Sequence, residues 1–269
     1  MKEQTGFADV DGSGRSEALV DYLALVAQHV GEFRRAGYDM LRLRPGDAVL
    51  DVGCGAGEVC AELAARVGEQ GRVAGVDLSE AMVEAARRTV KASGHAVELE
   101  AASVYELPFA DGVFDAVRAE RVFQHLDRPE EGLREMLRVT RAGGRVMAID
   151  PDHGQAGLAL DDPAHRRVFD ALQRAMARMI VNPYSGTRLR GMFVRAGLSD
   201  IVQLIKPFDF SCAPFMQMFF VNERLAAAVA AGEISEQEGS DFVAAIYERQ
   251  RADTFFASAI GYTVVGTRR

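Results

Sequence analysis

The run Val49-Leu-Asp-Val-Gly-Cys-Gly-Ala-Gly57 constrains this chain more than any other stretch. Apolar side chains around one Asp end at a Gly, the pattern of a buried strand opening into a loop. The loop carries Gly53, Gly55 and Gly57, and residues 58–67 after it are rich in helix formers. Strand, glycine loop and helix in that order build a nucleotide cradle: the glycines let backbone approach a ligand, and the helix start offers unpaired N–H groups. The spacing is G-x-G-x-G with Asp51 two residues ahead, so the G-x-G-x-x-G fingerprint of NAD binding is not met.

The order of elements after the cradle specifies the fold class. Gly71-Arg72 leads into a second buried strand ending at Asp77, 20 residues beyond Gly57, where a doubly wound fold holds ribose hydroxyls. Ser79 is placed to cap a helix with Met82, Ala85, Ala86 and Val90 on one face. Strand three is expected over Val97–Ser103, strand four ends near Glu120, and Gly143-Gly144 turns the chain into strand five, RVMAID. Five strands alternating with four helices imply a parallel sheet with right-handed crossovers. Ahead of the cradle, one helix is expected from Glu17 to Val30 and a second over Glu32–Leu43, stopped by Pro45-Gly46. These two cap the mouth of the cradle or only cover a flank of the sheet. The second half adds helices over Pro163–Ile180 and Ser185–Ala196, a sixth strand DIVQLIKPF, a helical Phe- and Met-rich insertion and a closing strand. The domain reading is therefore N-terminal cap helices at 1–44, a core at 45–208 and 254–269, and a helical lid at 209–253. Residues 1–16 are expected to run irregularly over the surface.

Composition excludes several classes. The 269 residues are 48% hydrophobic and 26% charged, as in ordinary soluble globular chains. A net charge of −8 argues against non-specific nucleic-acid binding, which depends on neutralising phosphates. Cys54, Cys60 and Cys212 are too few and too scattered for a disulfide framework or a zinc site, so no metal is expected. No apolar run is long enough to span a membrane and the N-terminus has no signal-peptide pattern, so a cytoplasmic location is expected.

VLDVGCGAG, then GVDLS, then ELPFADGVFDAVRAERVFQHL, then the Gly-Gly turn and RVMAID together resemble the class I S-adenosylmethionine-dependent methyltransferases. The likeness is to the small-molecule branch of ubiquinone/menaquinone-biosynthesis and natural-product tailoring enzymes. It implies a Rossmann-like α/β sheet of seven strands with the last antiparallel, helices on both faces, and S-adenosyl-L-methionine across the C-terminal ends of strands one, two and four. The cofactor contacts it implies come from Asp51, Gly53, Cys54 and Gly55 of the loop, Asp77, Leu78 and Met82 after strand two, and Ser103 and Val104 at the adenine edge. Glu120 and Arg121, with Arg118, either address the charged ends of the cofactor or form an internal ion pair. The family usually has an acidic residue where Ser103 stands.

Three residues at strand ends are candidates for a catalytic base: His125, Asp150 and His153. The resemblance implies base roles for a His after strand four and an Asp ending strand five, although the family's paired His–His reads Gln124-His125 here. Alternatives are a structural His125, an Asp150 turn cap and a solvated His153. Phe208–Phe220 holds five Phe and two Met in thirteen residues, either lid core or the wall of an apolar acceptor pocket. Phe215 and Phe219, with Tyr22 from the N-terminal helix, are the candidate substrate contacts. The seven arginines of Arg166–Arg195 are a solvated face or a site for an acidic substrate. The expected activity is methyl transfer to a small, largely apolar acceptor, with a hydroxyl favoured. The rivals are a non-methylating cyclase on the same fold and a cofactor-sensing protein without turnover. Partners are the small-molecule acceptor, no nucleic acid and no membrane; a homodimer stays open.

Overall fold

A computed structural model describes residues 10–12, 14 and 16–269, so most of the expected irregular N-terminal stretch lies outside the described residues. One sheet organises the chain. β1 (Ala48–Val52), β2 (Arg72–Asp77), β3 (Glu98–Ala101), β4 (Phe114–Glu120) and β5 (Thr140–Pro151) pair in parallel in the spatial order β3-β2-β1-β4-β5. Two residues after a short turn, Gly157–Leu158, form β6. β7 (Ser199–Phe210) and β8 (Ala257–Thr267) complete the sheet, and β8 runs antiparallel between β5 and β7. The last strand is therefore the reversed one, and β6 adds a brief extra pairing against Ala257-Ser258 of β8.

The helices follow from amphipathic stripes, with two corrections to the sequence reading. α1 (Ser16–Leu41) is one helix, not two. Gly31 costs a helix only about 1 kcal/mol, and Val26, Phe33, Tyr38 and Leu41 bury a continuous stripe across it. Between β3 and β4 there is no helix, so three helices, not four, join the first five strands: α2 (Glu58–Val67), α3 (Glu80–Ser93) and α4 (Pro129–Val139). The Gly143-Gly144 turn sits inside β5 as an irregularity: Phe114 pairs Thr140, but Ala116 already pairs Arg145. β3 is also shorter at each end than its apolar pattern suggested.

Among the described residues there are three large apolar cores and a small fourth cluster of Val10, Leu19 and Met82. α1, α2 and α3 cover one sheet face, with Tyr38, Leu63 and Ala86 buried among Val49 and Met147. α4 and α6 (Ser185–Arg195) cover the other, through Leu133, Met136, Leu189 and Phe193. The third core joins α5 (Pro163–Met179) to α7 (Cys212–Met218), α8 (Val221–Ala230) and α9 (Glu236–Arg251), with Phe169, Phe215, Phe242 and Ile246 at its centre. The insertion thus shares its core with α5, which precedes it in the chain by thirty-odd residues. No described helix is long and apolar enough to cross a membrane, and the three cysteines are free thiols.

Candidate active site

The glycine loop is fixed from below. Gly53 and Cys54 donate their N–H groups to Val76 O at 2.7 and 2.9 Å, and Gly55 N–H donates to Asp77 Oδ2 at 2.9 Å. Gly53 has φ +70°, and a side chain there would drive into Val122 of the β4 exit. Gly57 caps α2 at φ +82°, and a Cβ would lie 2.8 Å from the Ala86 backbone, so this glycine serves the contact between α2 and α3. Asp77 Oδ1 accepts the Ser79 N–H at 3.0 Å, and burial holds its carboxyl above the ordinary range. At the same place Asp11 reaches the start of α3, accepting from Ser79 Oγ at 2.6 Å and from the N–H groups of Glu80 and Ala81.

An open cleft of about 410 Å³ lies over this loop. Gly53, Gly55, Asp77, Leu78, Met82, Ser103, Val104, Glu120 and Arg121 line it, together with Val10, Leu23 and His125. Leu78 is 71% exposed there, an apolar shelf at the end of β2. Ser103 Oγ accepts the Tyr105 N–H at 3.2 Å, and Tyr105 OH donates to Asp127 Oδ1 at 2.5 Å. Cys54 and Asp51 lie behind the cleft rather than on its wall, both buried.

Asp51 belongs to a charge network that runs beneath the site. Arg118, 1% exposed, donates to Asp51 Oδ1 at 2.7 Å and to Glu120 Oε2 at 2.5 Å. Arg34 of α1 grips the same Glu120 with two hydrogen bonds at 3.0 and 3.1 Å. Burial would raise the Glu120 pKa, but the Arg34 and Arg118 guanidiniums outweigh it and hold the carboxyl at about 2. Arg118 is thus an internal brace with no place on the cleft wall. Arg121 follows in a left-handed backbone conformation, φ +60°. Its Nη2 donates to Tyr22 OH at 2.8 Å, and Tyr22 OH reaches Met218 O at 3.4 Å. Tyr22 also stacks on Phe220, so α1, the β4 exit and the insertion meet at one phenol.

On the other side of Glu120 and Arg121 lies a second, mostly apolar cavity of about 100 Å³. Its walls come from α1 (Tyr22, Val26, Phe33), the β5 end, the end of β7 (Phe210) and the insertion (Met218, Phe219). Glu120 and Arg121 line both spaces, so the two meet at the exit of β4. Asp150 and His153 line this cavity, whereas His125 lines the glycine-loop cleft. Phe219 is on the wall; Phe215, 1% exposed, packs behind it with ring centroids 4.9 Å apart.

The ionisable groups here are strongly perturbed. Asp150 is 1% exposed, and neither carboxylate oxygen completes a hydrogen bond, although Ser185 and the Gln124 N–H lie close. Burial drives its pKa up to about 7, against the opposing pull of Ser185, the Gln124 N–H and Arg121. His125 is pushed down to about 4 by burial and by Arg121. His153 is likewise held well below its ordinary value by burial and then by Arg224 and Arg121, so it is neutral. Gln124 Nε2 donates to Arg121 O at 3.1 Å, which sets the amide so that its Oε1 accepts a hydrogen bond from the His153 Nε2–H at 2.8 Å. That leaves Nδ1 as the basic nitrogen of His153. Two wall residues were not foreseen from sequence: Gln173, whose Oε1 is buried without a partner, and Arg224, whose Nε is.

Residues 49–144 match the family described as "Methyltransferase domain". An uncharacterised 37.1 kDa protein of transposon TN4556 from Streptomyces fradiae is 33% identical over 84% of this chain and 64% of its own length. The demethylmenaquinone methyltransferase of Symbiobacterium thermophilum is 38% identical over 40% of this chain and 43% of its own length. The chain therefore spans less than two thirds of these curated relatives. Among solved structures, the [4+2]-cyclase SpnF is similar with a TM-score of 0.56 and 21% identity, over 90% of this chain and 82% of its own. The Haemonchus contortus phosphoethanolamine N-methyltransferase 2, solved with S-adenosyl-L-methionine, is similar with a TM-score of 0.51 and 16% identity, over 92% of this chain and 52% of its own. At such identities these two structures speak for the fold alone.

Proposed function

We propose that this chain, whose residues 49–144 match a methyltransferase domain, transfers a methyl group from S-adenosylmethionine to a hydroxyl of a small, largely apolar acceptor of natural-product or quinone-like type. The glycine-loop cleft fits the cofactor: it offers a ribose partner in Asp77, an apolar shelf in Leu78 and backbone that approaches without side chains at Gly53 and Gly55. When bound, the cofactor supplies a methyl group on a cationic sulfur that leaves as a neutral thioether. This chain's own residues bind, orient and exclude water, the larger share of such catalysis.

One observation carries the hydroxyl acceptor. Asp150 sits in the wall of an apolar cavity with both oxygens unpaired and a pKa raised to about 7. A base with a pKa near the working pH combines the ionised form with useful proton affinity, so Asp150 takes the acceptor's hydroxyl proton. His153 Nδ1 is a neutral acceptor in the same wall and holds the hydroxyl or relays its proton. Glu120 cannot share that work, since two guanidiniums hold its pKa at about 2, too low for a useful base, and occupy its oxygens. The demethylmenaquinone relative is in keeping with a quinone-like ring, where the same deprotonation would activate a neighbouring carbon.

The test is release of S-adenosylhomocysteine across a panel of hydroxyaryl acceptors, with the product located by NMR. O-methylated product, lost in Asp150→Asn, supports the reading; ring-methylated product moves the acceptor to carbon. Conversion of an acceptor without S-adenosylhomocysteine release would favour a cyclase, the activity named for the similar SpnF structure.

A further inference from the structure

Arg224 is the residue of the acceptor cavity that neither the fold nor the methyl-transfer reading requires. It lies in the first turn of α8, 2% exposed, and lines the apolar cavity. Among the described residues its side chain makes no hydrogen bond or salt bridge; its Nε is buried and unpaired, and its guanidinium stands 5.7 Å from the Phe219 ring centroid. The nearest influences that favour its charge are Tyr22, already engaged with Arg121, and Glu223, an exposed neighbour. Burial lowers its pKa to about 9, so it remains a cation at neutral pH. The position itself is unfavourable, because the first turn of a helix repels positive charge. The Phe219 ring face offsets part of the cost, but a buried cation without a hydrogen-bonded or ionic partner at a helix start remains unfavourable, and an apolar side chain there would relieve the fold.

A cost of that kind persists where a ligand offsets it. Resting on the methyl-transfer reading above, we propose that the acceptor of this protein carries a carboxylate, and that Arg224 binds it in the apolar cavity at a distance from the methylated hydroxyl. A carboxylate suits the planar guanidinium fork, which can donate two parallel hydrogen bonds. A monoanion is favoured over a phosphate, because the other cations near the cavity are engaged: Arg121 with Tyr22, and Arg34 and Arg118 with Glu120. The carboxylates of the wall do not compete for Arg224. Glu120 is held by those two arginines, Asp152 accepts from Thr187 Oγ1 at 2.6 Å and the Gly154 N–H at 2.9 Å, and Asp150 makes no salt bridge. The acceptor class is thus a hydroxyaryl or hydroxyalkyl acid with an apolar body, its two polar ends read by Arg224 and by Asp150 with His153.

The test pairs hydroxybenzoates, hydroxycinnamates and longer hydroxyaryl-alkanoates with their methyl esters, on the full chain loaded with S-adenosylhomocysteine. Calorimetry should show at least one acid binding about 10–100-fold more tightly than its ester, the range expected when a charged hydrogen-bonded pair is lost. Arg224→Met should abolish the preference, so that acid and ester bind alike, while its Tm equals or exceeds that of the wild type; Arg224→Lys should keep part of the preference. Equal binding of acids and esters by the wild type, or no response to either series, overturns the proposal. So does an acid preference that survives Arg224→Met. Acid-selective binding without S-adenosylhomocysteine release from S-adenosylmethionine would keep this inference and sink methyl transfer. Turnover of esters as readily as acids would do the reverse.

Discussion

Asp150→Asn should make the protein more stable at alkaline pH and much less active, and the two effects have one cause. Asp150 ionises at 3.8 in an exposed setting and at about 7 in its buried site. The folded chain therefore holds a proton that the unfolded chain has released, and stability falls as pH rises across that interval. Below 3.8 the carboxyl is neutral in both states and its contribution is fully present; above about 7 it has been lost. Each pH unit of the interval is worth about 1.4 kcal/mol, so the full loss approaches about 4 kcal/mol. Exposure is only 1%, and no solvent screening reduces that figure much. Asn cannot ionise, so its stability should not show this fall.

The assay is urea unfolding of both proteins from pH 4 to pH 8.5. The curves should meet near pH 4 and diverge until Asn leads by a few kcal/mol above pH 7. Turnover of Asp150→Asn should drop by about 10²-fold or more, and the acidic limb of the wild-type rate profile, centred near pH 7, should go with it. Parallel stability curves would refute the buried, unpaired carboxylate. An unchanged rate with diverging curves would refute only its role as base.

Other expectations follow from the same geometry. His125, held at about 4, acts in the opposite sense: its contribution is present above 6.5 and lost as pH falls towards 4, so His125→Gln should flatten the acid side of the stability curve. Asp77→Ala should weaken S-adenosylmethionine by about 1–3 kcal/mol in calorimetry, with no NAD binding at comparable concentration; an indifferent substitution would remove Asp77 from the ribose site. Gly53→Ala should destroy cofactor binding by collision with Val122, and the double change with Val122→Ala should recover part of it, as denaturation and calorimetry can check. Phe215→Ala should cost about 3–5 kcal/mol of stability as a core residue, whereas Phe219→Ala should chiefly raise the acceptor KM; equal behaviour of the two would erase the distinction between wall and core.

Most of the sheet was legible because its signals are local. Each βα unit carries its own apolar strand, turn glycines and helix cap within about 25 residues, and the cleft residues from Gly53 to Leu78 fall next to those signals. The single helix α1 differs from the two expected because Gly31 falls between them, and only the tertiary stripe of Val26, Phe33 and Tyr38 shows that the helix runs through it. The partnership of α5 with the insertion was hidden for a related reason: Phe169 and Phe242 have identical local signatures whether they pack together or apart. Charges at the β4 exit stood out as odd, but their partners did not. Arg34 reaches Glu120 from 86 positions away, and nothing in an amphipathic helix marks one arginine as buried. Arg224 and Gln173 are the extreme case, since their significance lies in partners they lack, which no pattern of neighbours encodes.

Glu120 connects these observations, because it lines both the glycine-loop cleft and the second, apolar cavity. Burying four charges in Asp51, Arg118, Glu120 and Arg34 is expensive, and an apolar quartet would serve the fold as well or better. What the network supplies is a carboxylate that stays ionised at any working pH, clamped by residues from α1, β1 and β4. A fixed negative charge at the junction favours a cationic sulfur in the cleft. It also disfavours a second negative charge nearby, and it is one of the causes that lift Asp150. Burial first, and the Glu120 charge as a smaller contribution, lift Asp150 to about 7, while the two arginines hold Glu120 at about 2. In the proposed reaction Glu120 is a fixed electrostatic feature and Asp150 the proton acceptor, a division set by surroundings: two arginines grip Glu120, whereas at Asp150 burial outweighs Ser185, the Gln124 N–H and Arg121.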